Sequence, residues 1–168
     1  MSFIIRDEKP EDIHDIAELT KAAFLNVEHS SHTEQFIVNS LREHDQLTIS
    51  LVALENNTLV GHVAVSPVSI SSGEMGWYGL GPISVLPNKQ GMGIGTLLMK
   101  ASLEKLKQLG ANGCVLLGDP NYYHQFGFKS YPRLRLPNVP QEYFQAISFI
   151  DHIPTGEVHY HEAFNATE

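Results

Sequence analysis

Val85-Leu86-Pro87-Asn88-Lys89-Gln90-Gly91-Met92-Gly93-Ile94-Gly95-Thr96 joins a stretch of strand-forming residues to one with the period of a helix. Upstream, Trp77 to Val85 reads as a strand interrupted by Gly79, Gly81 and Pro82, which predicts a bulge or a splay because neither residue supports a regular ladder. Downstream, Ile94, Leu98, Ala101, Leu106 and Leu109 fall within about 140° of arc at about 100° per residue, and Gly110 caps the helix. The glycines at the join let a ligand approach the backbone closely. The first amides of a helix have no internal acceptors, so their N–H groups point outward at the positive end of the dipole. Such a turn is a seat for phosphate. Lys89, Lys100, Lys105 and Lys107, against Glu104 alone, favour an anion there as well.

Spacing argues against two other phosphate sites. A Walker loop needs Gly-Lys-Ser/Thr at the helix start, and here the run is Gly93-Ile94-Gly95-Thr96. A dinucleotide fingerprint needs G-x-G-x-x-G near the start of a parallel sheet. This chain has G-x-G-x-G after several antiparallel strands, so a Rossmann-like binder is the weaker alternative.

Working outward, Phe3-Ile4-Ile5 reads as a short strand. The acidic run Asp7 to Asp15, with Pro10, opens a helix through Ile13, Ile16, Leu19 and Phe24, its charge expected to offset the helix dipole on a solvated face. A second helix spans Gln35 to Leu41. Leu47–Leu54 and Leu59–Ile70 form a hairpin about Glu55-Asn56-Asn57-Thr58. Gly113 to Leu117 is a continuous apolar run expected of a buried parallel strand, and Pro120 opens a short helix to Phe126. Further strands are expected from Gly127-Phe128, over Phe144–Ile150 and over Gly156–His161. The expected fold is mixed α/β, a mostly antiparallel sheet with helices on both faces. Residues 1–168 form one domain, with 132–168 a variable, strand-containing tail.

Composition bounds the function. The chain has 168 residues, a formal charge of −8 and 42% hydrophobic residues, enough to bury a core, and its acidity argues against nucleic acid as a partner. No apolar run approaches membrane-spanning length, so no membrane partner is expected. The one cysteine, Cys114, lies in an apolar run and reads as a buried, inert thiol suited to a reducing compartment; the expected location is the cytoplasm. His29 with His32 and His159 with His161 have metal-like spacings, but no cysteine or carboxylate cluster completes a ligand set, so no metal is expected.

At this point the chain resembles the GNAT superfamily of acyl-coenzyme A dependent N-acetyltransferases. That family's phosphate turn, Q/R-x-x-G-x-G/A, is matched by Gln90, Gly93 and Gly95, and the preceding Val-x-Pro by Val85 and Pro87. Ile5-Arg6 through Pro10, Asp12, Ile16 and Phe24 is similar to its first strand and helix. Tyr123-His124-Gln125-Phe126-Gly127-Phe128 is similar to its Tyr-x-x-x-Gly-Phe segment. Gly118-Asp119-Pro120-Asn121-Tyr122-Tyr123 and the tail Val158-x-Tyr160-x-x-Ala163-Phe164 resemble its YhbS-like branch.

The resemblance implies transfer of an acetyl group from acetyl-CoA, as co-substrate, to a primary amine by direct attack in a ternary complex. Ile83, Ser84 and Val85 would hold the pantetheine arm where the fourth and fifth strands part. The amides of Gly91, Met92, Gly93, Ile94, Gly95 and Thr96, beside Gln90, would hold the diphosphate. The N–H near Val85 would polarise the thioester, and Tyr123 would be the general acid, with Tyr122 beside it as the alternative. The family's Asn-x-x-Ala run is replaced here by Leu116 and Gly118-Asp119-Pro120, leaving Asn121 as a substitute contact. No motif names the general base; Glu28, His29, Glu34 and Glu74 are candidates. The missing base keeps open a second class, an acyl-CoA-binding sensor or interaction module. The acceptor is a small-molecule or peptide amine, and the tail strand offers an edge for a homodimer.

Overall fold

The computed structural model describes residues 2–28 and 30–168. Strand β1 (Ile4–Asp7) leads through a 3-10 turn (Pro10–Asp12) into helix α1 (Ile13–Phe24) and then α2 (Glu34–Glu43). Strands β2 (Ile49–Glu55), β3 (Thr58–Ile70) and β4 (Trp77–Val85) follow, then α3 (Ile94–Gln108), β5 (Gly113–Leu117) and α4 (Pro120–Tyr123). Strands β6 (Leu134–Arg135), β7 (Phe144–Ser148) and β8 (Gly156–Tyr160) complete the order. The sheet runs β1-β2-β3-β4-β5-β7, antiparallel along that path except between β4 and β5. Strand β8 pairs with the far end of β3 and with β6.

Each face of the sheet has its own cover. On one face Leu51, Ala53, Val63, Val65 and Leu116 meet Ile94, Leu98, Met99, Leu103 and Leu106 of α3. On the other, Val52, Leu54 and Ala64 lie under Ile16 of α1 and Val38 of α2. Farther along that second face, Trp77, Val115, Phe144 and Ala146 pack against Leu134, Ile153 and Val158 of the C-terminal segment. The β2–β3 hairpin turns on Asn56 and Asn57, both left-handed (φ 50° and 66°), the geometry of a two-residue turn that matches strand twist.

The expected fold class is present, with local corrections. Gly127-Phe128 starts no strand: α4 gives way to a 3-10 turn (His124–Phe126), Gly127 is left-handed, and one isolated bridge joins Lys129 to Ala146. Phe128 instead spends its ring in the core beneath α3. The α3 helix buries Met99, Ser102 and Leu103 besides Ile94, Leu98 and Leu106, while Leu109, beyond the last turn, is exposed. His161 does not continue β8. It caps a final 3-10 turn (Glu162–Asn165) by accepting the Ala163 N–H at 3.0 Å.

The acidic run near the N-terminus is not simply a solvated face. Asp12 pairs with Arg6 at 2.7 Å, and that hydrogen bond holds its carboxyl below the usual range. Glu8 receives Arg42 Nε and Nη2, both at 2.8 Å, and the Ser50 hydroxyl at 2.5 Å. Burial pushes the Glu8 carboxyl up, but these hydrogen bonds prevail and hold it below its ordinary value. Ser50 Oγ also lies 2.8 Å from His62 Nε2, and His62 is fully buried, which brings its pKa down to about 4. Cys114 is fully buried, and its thiol is pushed up by desolvation.

Candidate functional site

The site begins where β4 leaves β5. Their parallel pairing ends at Gly79 with Val115. On its other edge β4 stays paired to β3, but between the pairs Val63–Ile83 and Val65–Leu80 it carries one residue more than β3, a bulge at Gly81–Pro82. Past the bulge, the Leu86 N–H donates to Val60 O at 3.0 Å, so Leu86 faces β3. Successive strand amides alternate in direction, and the amides of Val85 and Ile83 therefore face the edge that β5 has left open.

A second row of amides follows. Gly91 and Gly93 are left-handed (φ 79° and 86°), a region costly for residues with a Cβ, and they turn the chain sharply into α3. The first helical hydrogen bond runs from the Leu97 N–H to Gly93 O at 3.1 Å. The amides of Gly91 through Thr96 donate to no protein group among the described residues. Gln90 Nε2 donates to Val85 O at 3.3 Å, tying this turn to the end of β4. Of the lysines counted in the sequence, only Lys89 lines the cavity below, and its ammonium is paired with Glu55 at 2.6 Å. Lys105 pairs with Asp7, and Lys107 lies over the Phe149 ring, so the local charge is more dispersed than the sequence implies.

These two rows share a cavity of about 590 Å³ lined by Ile83, Val85, Lys89, Gln90, Gly91, Gly93, Ile94, Gly95, Thr96, Tyr122 and Tyr123. The two tyrosines differ. Tyr122 OH lies 3.3 Å from Thr96 Oγ1, at the helix start. Tyr123 sets its ring edge-on to Tyr122 and Phe128 and lies close over Gly118, where a Cβ would collide with it. Burial raises the Tyr123 phenol to about 12, so it holds its proton at neutral pH. Asp119 caps α4 by accepting the Asn121 N–H at 2.9 Å, which fixes the short helix that presents both rings.

Three of the residues singled out in the sequence lie apart from this lining. The Ser84 side chain is buried on the opposite face, Met92 projects from the tip of the turn, and Asn121 lies on the far side of α4. Lys89 and Tyr122 also line the cavity, outside the phosphate-turn motif; the sequence offers Lys89 as local charge and Tyr122 as the alternative to Tyr123, and the fold brings both to this lining. Among the carboxylates considered as bases, Glu28 is exposed and Glu34 accepts the Ser30 hydroxyl at 2.8 and 2.7 Å. Glu74 sits beyond the opposite end of β4, paired with His152 at 2.7 Å. None of the three lines the cavity, and His29 lies outside the described residues. Among the described residues, no group of three His, Cys, Asp or Glu side chains could hold a metal ion, and no helix is long and apolar enough to cross a membrane.

Known proteins share this fold. A family model described as an acetyltransferase (GNAT) domain matches residues 4–130. The uncharacterised N-acetyltransferase YhbS of Escherichia coli K12 is 34% identical over 171 residues, covering 97% of this chain and 99% of that protein. A GNAT family acetyltransferase from Brucella melitensis, solved in complex with acetyl-CoA, superposes with a TM-score of 0.87 at 47% identity, over 97% of this chain and 98% of that one. The crystal structure of E. coli YhbS in complex with CoA gives a TM-score of 0.87 at 32% identity, over 99% and 93% of the two chains.

Proposed function

The chain belongs to the GNAT acetyltransferase family, and from that premise we propose that it moves an acetyl group from acetyl-CoA to a primary amine by direct attack, with both substrates bound together. The observation that carries this reading is one cavity holding two rows of outward amides and a half-buried tyrosine phenol. The relatives from B. melitensis and E. coli are solved with acetyl-CoA and CoA, and the cavity here suits the same coenzyme, with anion-seeking amides in its lining.

The amides of Gly91 through Thr96 hold the diphosphate, assisted by the dipole of α3, and the Tyr122 hydroxyl reaches the same end. The open edge of β4 at Ile83 and Val85 pairs with the amide groups of the pantetheine arm, as a missing strand would. The Val85 N–H stabilises negative charge that develops on the thioester oxygen when the amine attacks. Tyr123, its phenol raised to about 12, gives its proton to the departing thiolate. No carboxylate among the described residues sits in the cavity to take the proton of the amine, so water in the cleft takes it. The whole 168-residue chain works as one unit in the cytoplasm.

Calorimetry with acetyl-CoA, followed by assay of free thiol release with amine acceptors, tests the reading. Saturable binding and acceptor-dependent release are expected. A chain that binds acetyl-CoA but releases thiol with no amine is a sensor, and one that ignores the coenzyme is neither.

A further inference from the structure

A second cavity, of about 720 Å³, lies on the other side of α4 and shares no lining residue with the first. Its walls are Leu117, Val139, Pro140 and Tyr143, with Asp119 and Asn121 along the α4 edge. The fold explains why it is open. Leu117 lies two positions past Val115, the last residue of β5 to pair with β4, and stands on the face away from α3, as Val115 and Phe144 do. With β4 gone from its side, Leu117 is 50% exposed at the end of an otherwise buried strand, and Tyr143 across the cavity is 44% exposed. Two hydrogen bonds hold the rim in place: the Gly118 N–H to Tyr143 O at 2.9 Å and Gln145 Nε2 to Gly118 O at 3.0 Å.

We infer that this cavity seats the body of the acceptor, and that the acceptor is an amine carried on an apolar, aromatic or branched aliphatic group. The inference rests on the acetyltransfer reading above. The coenzyme groove occupies the α3 face, so an amine attacking a thioester held in the gap between β4 and β5 comes from the opposite face, the face on which Leu117 stands two residues beyond the last pairing of β5 with β4. Its volume suits a small organic ligand, and covering Leu117 and Tyr143 removes apolar surface from water, worth about 25 cal/mol per Å². Asp119 is the one charged side chain in the lining, which suits a single ammonium drawn in before it loses its proton. A polyamine or an amino sugar gains that one charge contact but leaves the apolar walls wet.

The test measures acetyl-CoA binding by calorimetry and thiol release with 2-phenylethylamine, 3-methylbutylamine, a tripeptide with N-terminal Phe, spermidine and glucosamine. The expected result is a higher kcat/KM for the apolar amines than for spermidine and glucosamine; the free amines and the tripeptide separate a small-molecule acceptor from a peptide terminus. Leu117→Gln and Tyr143→Ser, both at exposed positions, should raise KM for the preferred apolar amine about tenfold while kcat and coenzyme affinity stay within about twofold. Thermal unfolding confirms that each variant is folded, and either folded variant suffices. Preference for spermidine or glucosamine overturns the inference, as do an unchanged KM in folded variants and a failure of every apolar amine on protein that binds acetyl-CoA. A chain that does not bind acetyl-CoA sinks the acetyltransfer reading instead.

Discussion

The two faces of the sheet at the β4–β5 gap are built from different kinds of sequence. The α3 face takes its polar contacts from consecutive backbone amides, Gly91 to Thr96, within one turn of chain. The opposite face gathers side chains from β5, the α4 turn and the segment before β7. A site made of backbone is written locally, because only certain residues permit the turn. A site made of side chains from distant segments leaves no spacing to read. The proposed coenzyme side can therefore be found from sequence, while the proposed acceptor side has to be found from the fold.

The largest expected effect sharpens the coenzyme side of that contrast. Tyr123→Phe keeps the ring packed on Phe128 but removes the phenolic proton, and kcat should fall at least about 100-fold with acetyl-CoA affinity within about twofold. If the two tyrosines have the distinct roles their surroundings imply, Tyr122→Phe does the reverse, weakening coenzyme binding severalfold while largely sparing kcat. A fall in kcat for Tyr122→Phe alone would exchange them.

On the opposite face the expected effect is on stability. His62 has a folded pKa of about 4 against about 6.5 when unfolded, so between those values the unfolded chain binds more protons and stability falls as pH falls. The loss is fully developed near pH 4 and amounts to roughly 3 kcal/mol. Glu8, held low by Arg42 and Ser50, adds a loss of the same sign as it protonates. Urea unfolding from pH 7 to pH 4 should show this slope, and His62→Gln should flatten the part between pH 6.5 and pH 4.

Gly93→Val tests the backbone turn itself. A β-branched residue at φ 86° is strained, and acetyl-CoA should bind at least about tenfold more weakly by calorimetry, with the unfolding temperature lowered by about 2–8 °C. The smallest effect concerns Lys89. Glu55→Gln frees its ammonium, and coenzyme affinity should rise about twofold at low salt, a gain that vanishes at high ionic strength.

Most of the fold was legible because its elements announce themselves: Pro10 and Pro120 open helices, Asn56-Asn57 turns a hairpin, and Gly81-Pro82 marks the bulge. The misreadings came where tertiary packing overrode local pattern. Phe128 follows a glycine and looks like a strand start, yet the core beneath α3 claims it. Asp7 to Asp15 looks like solvated charge, yet Glu8 and Asp12 meet arginines, Arg42 from α2 and Arg6 from β1. The turn at Gly91–Gly93 and the tyrosine pair could be read from their order. Lys89's partner, the Tyr122–Thr96 contact and the Leu117–Tyr143 cavity depend on residues far apart in sequence.

The extra residue in β4 has one further consequence, which is a matter of counting. Before it, even-numbered side chains, Tyr78 and Leu80, face α3, and odd-numbered Trp77 faces away. After it, odd-numbered Ile83 and Val85 face α3, and Ser84 is turned to the other side. A chain one residue shorter at this point would invert that parity, putting a hydroxyl where the groove now has Ile83 and Val85 and driving those two aliphatic groups in among His62 and Ser50.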